Sequence, residues 1–137
     1  MKLTRKQSKN ILMSTIGSPF IGMYNERQRS CSYYDVRNDC YCSVGILMEE
    51  DIPRFRSNGR DVEEFLIDGV FVAGMVVPSL AGVQKKEMDK ALAEMSKLTG
   101  LTKEELIKLQ DLHDSALVET KNKQHYVKAY EKFVASL

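Results

Sequence analysis

The sequence predicts an α+β fold, mostly α, in which a small β-hairpin packs against several amphipathic helices. Three observations lead there. Apolar residues recur at three- and four-residue spacing through most of the chain beyond Gln84. Two short runs rich in Tyr, Val and Cys, CSYYDV and CYCSV, flank the turn-forming triplet RND. The 137 residues, 43% hydrophobic and 28% charged, suit one core of ordinary globular composition. The expected organisation is a single domain over residues 1–137. It comprises an N-terminal helix over 4–16, a hairpin region over 30–48, and a helical part over 60–137 with an apolar insertion at about 67–82.

Each element has its own signal. Thr4 is placed to cap a first helix from Arg5 to about Ile16, which Gly17 and Pro19 end. Ser18 to Arg29 is irregular and reads as a loop or frayed strand. The hairpin arms follow, then Gly45 and ILMEEDIP, closed by Pro53. In NGRDVEEFL, Asp61 as N-cap and Glu64 three residues later form a capping-box pattern, so a helix is expected to start there. Val70 to Val77 is β-branched and apolar, and periodicity leaves strand and buried helix both open. The longer run from Val70 to Val83 is too short to span a bilayer and is interrupted by Pro78. It is expected to be a buried segment or, alternatively, the contact surface of a homo-oligomer. From Gln84 onward Met88, Ala91, Leu92, Met95 and Leu98 keep helical spacing up to Gly100. Thr102 and Glu105 form a second capping box, opening a helix with Leu106, Leu109, Leu112, Ala116 and Leu117 on its apolar face. A last helix, about Lys123 to Ser136, carries Tyr126, Val127, Tyr130, Phe133, Val134 and Leu137.

Charge and cysteine content narrow the function. Twenty basic and nineteen acidic residues leave a net charge of +1, which predicts no strong nucleic-acid binding and no attraction to anionic membranes. The N-terminal MKLTRKQSKNILMSTIG lacks the apolar core of a signal peptide. Three cysteines, an odd number, argue against a closed disulfide framework and suit a reducing compartment, so a cytoplasmic location is expected. No Gly-rich phosphate loop, zinc-protease helix motif or serine-hydrolase elbow is present, and no cofactor is expected.

Three groups of residues merit attention. Cys31, Cys40, Cys42 and His113 make up a Cys3His set of the kind zinc takes, although Cys40 and Cys42 are separated by one residue where zinc knuckles space their cysteines by two to four. Cys42 with His113 as base and Asp114 or Gln110 as orienting group would make a Cys–His enzyme, a hydrolase or transferase. Against this, free cysteine commonly serves as a small buried hydrophobe. His113 also lies on the apolar stripe between Leu109 and Leu117. Finally, Tyr33, Tyr34 and Tyr41 on the hairpin are stacking surfaces as much as core, and with Arg54, Arg56 and Arg60 of RFRSNGR they offer an exposed aromatic and basic pocket for a nucleotide. A hairpin packed beside a solvated loop explains the same residues.

As an ordered set, CSYYDV…CYCSVGILM, NGRDVEEFL and LQDLHD resemble a widespread group of small phage and prophage proteins. Cys31 and Tyr33 match the first element of that group's pattern, and Cys42, Val44, Gly45 and Leu47 the second. Gly59, Arg60, Val62 and Leu66 match the third; Leu109, Gln110, His113 and Asp114 match the last. The chain departs from the pattern at Tyr34, where the group tends to have Arg, at the extra Cys40, and in the stretch from Ile67 to about Gly82. The resemblance brings no established reaction. It implies a phage accessory protein in the host cytoplasm, a host-defence antagonist or host-takeover factor. A non-enzymatic binder of a host protein or small nucleotide-like signal is the leading expectation, with Tyr33, Tyr34, Arg54, Arg56, Arg60, Gln110 and His113 as ligand contacts. A Cys42–His113–Asp114 enzyme and a zinc-stabilised interaction domain are the alternatives.

Overall fold

The structure, a computed structural model, describes residues 2–27, 34–35, 37–48, 64–67, 70–73, 83–119 and 121–137, with the backbone alone described at 64–67, 70–73, 83–88 and 91. Within these residues the chain forms α1 (Arg5–Ser14), a 3-10 turn (Gly22–Tyr24), β1 (Tyr34–Asp35), β2 (Cys40–Tyr41) and α2 (Ser43–Leu47). There follow β3 (Glu64–Ile67), β4 (Val70–Ala73), α3 (Val83–Thr99), α4 (Lys103–Val118) and α5 (Lys123–Ser136). This is the mostly helical α+β architecture the sequence predicts.

Local chemistry explains the helix boundaries. Thr4 and Gln7 cap α1 reciprocally: Thr4 Oγ1 accepts from Gln7 N at 3.1 Å and Gln7 Oε1 accepts from Thr4 N at 2.8 Å. Thr102 and Glu105 repeat the device on α4, at 3.1 Å and 2.9 Å. Each box satisfies two N–H groups that no helical carbonyl can reach. Gly100 ends α3 with φ +72°, a left-handed conformation that favours glycine.

The helices bury the faces their spacing marks out. Leu92 and Met95 of α3, Leu106, Leu109 and Ala116 of α4, and Val127, Tyr130 and Val134 of α5 join Leu12, Ile21, Met23 and Val44 in one cluster. A fully buried aliphatic side chain contributes about 1.5–3 kcal/mol relative to exposure, so this cluster dominates the stability of the described part. α4 lies at its centre, packing on α5, α2, α3 and the 3-10 turn. The start of the chain is tied down beside it. Leu3 N donates to Leu98 O at 2.7 Å and Ser8 Oγ to Thr99 O at 2.5 Å.

β1 and β2 are antiparallel, pairing Tyr34 with Tyr41 and Asp35 with Cys40 around the expected RND turn. Asp39 there has φ 46°, a conformation Asp tolerates better than most residues. Tyr41 N also donates to Phe20 O at 2.7 Å, which joins the hairpin to the segment after α1.

One expectation is overturned. The helix predicted to run on from Asp61 does not include Glu64–Ile67, which is a strand paired antiparallel with Val70–Ala73. In sequence an Asp-Gly dipeptide separates two runs rich in aromatic and β-branched residues, and that hairpin signal prevails over the capping-box pattern. The strand alternative for the apolar run thus holds over Val70–Ala73. Asp61 and the rest of the run to Gly82 lie outside the described residues.

Arg5 and Glu105 form a bidentate ion pair that fastens α1 to the start of α4. The Arg5 guanidinium holds the Glu105 carboxyl down to about 2, against the upward push of partial burial and with further help from Thr102. The folded value lies below the ordinary 4.5, so the pair's contribution is complete above about pH 4.5 and is lost as pH falls toward 2. With the Arg5 side chain 45% exposed, solvent screening limits that contribution to about 1 kcal/mol. Glu105→Gln, which keeps a capping amide, is expected to cost about that much at pH 7 and clearly less at pH 3 in urea unfolding. An equal cost at both pH values would refute the ionic origin.

Candidate functional site

α2 is a five-residue helix with every residue buried, so its first N–H groups have no water to turn to. Side chains supply the acceptors. The Cys42 thiol, at the N-cap, accepts from Gly45 N at 3.2 Å. Gln110 of α4 reaches across and accepts from Val44 N through Oε1 at 3.4 Å. The Gln110 amide is oriented in turn by Asp114, whose Oδ1 accepts from Nε2 at 2.9 Å. The same Oδ1 lies 3.3 Å from His113 Nδ1. On the far side of its ring, His113 Nε2 accepts from Met23 N at 3.3 Å. That bond requires the Nε2 lone pair, which leaves the ring proton on Nδ1 facing the carboxylate.

Cys42, Gln110, His113 and Asp114 therefore meet in one polar network, buried at the first three and partly exposed at Asp114. It serves the backbone: three buried N–H groups, at Met23, Val44 and Gly45, have their acceptors in it. Both His113 nitrogens are engaged. Among the described residues no hydrogen bond joins His113 to the thiol.

Burial pushes the Cys42 thiol well above the ordinary range. The Asp114 charge adds to that rise, while contacts from Gly45, Gln110 and Val44 oppose it only in part. A thiol nucleophile needs the opposite environment, electropositive and accessible. Two buried hydroxyls face the same centre. Burial raises the Tyr130 phenol to about 12 against a favourable contact from Ser43, and neither Ser43 Oγ nor the Tyr130 hydroxyl closes a hydrogen bond of ordinary geometry.

A second feature lies at the surface. An open concavity of ≈480 Å³ is lined by Pro19, Tyr24, Asn25, Glu26, Arg27, Arg37 and Asn38. Its walls are two loops held by the same device. Asn25 Oδ1 accepts from Arg27 N at 2.9 Å, and Asp35 Oδ1 accepts from Arg37 N at 2.8 Å. Asn25 Nδ2 donates to Pro19 O at 3.0 Å and Asn38 Nδ2 to Asp35 Oδ2 at 3.2 Å. Tyr24 is anchored to α5 by its hydroxyl, which donates to Glu131 Oε1 at 3.0 Å; burial and this carboxylate push the phenol well up. Neither the Arg27 nor the Arg37 guanidinium has a partner among the described residues.

Gln110, His113, Asp114 and Cys42 are thus brought together, while Tyr34 is buried at 3% exposure with its ring 4.7 Å from that of Tyr41. The exposed stacking surface expected of the hairpin tyrosines is absent at Tyr34 and Tyr41, because both rings fill the core. Tyr33, Arg54, Arg56, Arg60 and Cys31 lie outside the described residues. Cys40 and Cys42 are both buried. Among the described residues no group of three or more His, Cys, Asp or Glu is arranged to hold a metal. No described helix is long and apolar enough to cross a membrane.

Sequence reasoning missed Arg27 and Arg37. A usable signal exists in retrospect: Asn25-x-Arg27 and Asp35-x-Arg37 are two copies of an Asx residue capping the N–H two positions on. No family model, curated protein or solved structure matches the chain.

Proposed function

We propose that the protein is a non-enzymatic binder, a phage-type accessory factor that acts in the host cytoplasm as a host-defence antagonist or host-takeover factor. Its target is a host protein or a nucleotide-like signal molecule. The resemblance of its ordered motifs to small phage and prophage proteins supports the setting.

One observation carries the binder reading. Of the residues with catalytic chemistry, Cys42 and His113 accept from buried backbone N–H groups, and Asp114 is engaged by the His113 and Gln110 side chains. That arrangement favours a binder over the Cys–His hydrolase or transferase, and over a zinc-stabilised interaction domain built on the same cysteines. Homo-oligomerisation through the apolar run beginning at Val70 belongs to the same proposal; a monomer mass at micromolar concentration would refute it.

Thiol chemistry tests the reading. Cys42 of the native protein, followed by mapping iodoacetamide-labelled peptides at pH 8, is expected to react on the order of a hundred times more slowly than in urea. Labelling as fast as an exposed thiol would overturn the binder reading and restore the enzyme. Cys42→Ser should remain folded and functional, since Ser is itself a favoured N-cap.

A further inference from the structure

We propose that the concavity between the Tyr24–Arg27 and Arg37–Asn38 loops binds a small phosphate ester carrying a planar group, a ligand of nucleoside-monophosphate type. This inference rests on the binder reading and supplies its ligand.

The cations come first. Arg27 and Arg37 come from loops ten positions apart in sequence and line the same concavity. Their guanidinia are exposed and make no ion pair among the described residues. Guanidinium matches a phosphate oxygen pair bidentately, whereas a point charge cannot. Exposed arginines are common, but these two stand on backbone already fixed. Each follows an Asx turn, and Asn38 Nδ2 lies 3.5 Å from Arg27 O, where it links the two loops. A ligand bridging them therefore meets loops already in place, which lowers the ordering cost of binding.

The remaining lining sets the other half of the ligand. Pro19 and the half-buried Tyr24 line it with apolar surface, and the Tyr24 hydroxyl is held by Glu131, which anchors the far end of the side chain. Tyrosine and proline faces suit a flat heterocycle. Glu26 lines the same concavity, so the charged lining residues sum to one positive charge. That balance suits a compact phosphate ester better than a polyanion. A volume of ≈480 Å³ lies within the usual range for small-molecule sites. A net charge of +1 overall gives no strong pull on a nucleic-acid strand, which favours a small ligand here.

Calorimetric titration with AMP, adenosine, inorganic phosphate and a short single-stranded oligonucleotide tests the assignment. AMP should bind best, with adenosine and phosphate each about tenfold weaker or more, and added salt should weaken AMP. Arg27→Gln and Arg37→Gln should each reduce AMP affinity about tenfold while leaving the unfolding transition in place, since both side chains are exposed. Unchanged affinity in both variants would overturn the site, as would preference for the oligonucleotide. If no probe binds while Cys42 stays protected from alkylation, the pocket assignment fails and the binder reading stands with a protein target. If AMP binds and is turned over, the site stands and the binder reading fails.

Discussion

Gly100→Ala is expected to destabilise the protein by about 3 kcal/mol or more, against about 1 kcal/mol for Gly17→Ala. Both glycines have positive φ, +72° and +79°, so both substitutions incur the left-handed penalty. They differ in what a methyl group would meet. At Gly17 nothing lies within 4 Å. At Gly100 the new Cβ would stand 2.8 Å from the Thr4 carbonyl carbon and closer still to Arg5 N. These are backbone atoms at the start of α1, already fastened by the Leu3–Leu98 and Ser8–Thr99 hydrogen bonds and by the Arg5–Glu105 pair. No side-chain rotation relieves the overlap; α1 must shift. Urea unfolding of the two variants checks the difference, and equal losses would mean that α1 does not approach Gly100 as described. The larger loss is a substantial part of the roughly 5–15 kcal/mol that holds a domain of this size together.

Gly100 also shows where sequence reasoning succeeds. Glycine after a helical apolar stripe signals a C-terminal cap, and that inference needs only local chemistry. The Thr102–Glu105 box and the apolar faces of α4 and α5 are legible for the same reason. The close approach of Thr4 and Arg5 to Gly100 is not legible, because it depends on how elements nearly a hundred residues apart pack. The strand at Glu64–Ile67 marks a different limit. Two local signals, a capping box and an Asp-Gly hairpin, compete for the same residues there, and only partner strand β4 decides between them.

The candidate site divides in the same way. Cys42, Gln110, His113 and Asp114 could be singled out from their order in the chain, since motif positions carry that information. Their task could not. Whether a buried Gln serves a substrate or a backbone N–H depends on α2 being short, wholly buried and short of acceptors, which is a property of packing. The arginine concavity escaped notice because its two halves, Asn25-x-Arg27 and Asp35-x-Arg37, are ordinary turn sequences. They gain meaning when the hairpin brings one beside the other. The richer RFRSNGR run drew attention instead, since clustering in sequence is visible and clustering in space is not.

His113→Ala is the second substitution expected to be severe, costing about 3–4 kcal/mol. The ring is 1% exposed and its removal opens a cavity beneath α2 and the 3-10 turn. It also strands the Met23 N–H, which belongs to a residue at 0% exposure, with no acceptor. The cavity and the stranded donor are separable. Gln in place of His113 fills much of the space and can present an oxygen at the reach of Nε2, so His113→Gln should recover about half of the lost stability. Urea unfolding of both variants checks this. A loss below about 1 kcal/mol for Ala, or equal losses for Ala and Gln, would show that the Met23 hydrogen bond carries no weight. A second readout follows from the position of the turn. Met23 leads directly into Tyr24 and Asn25 of the concavity, although His113 does not line it. In any His113 variant that stays folded, AMP affinity should fall in step with loss of the turn, and His113→Gln should restore it. The late Leu-Gln-x-x-His-Asp motif would then act on the surface site from beneath, by holding the turn that forms its wall.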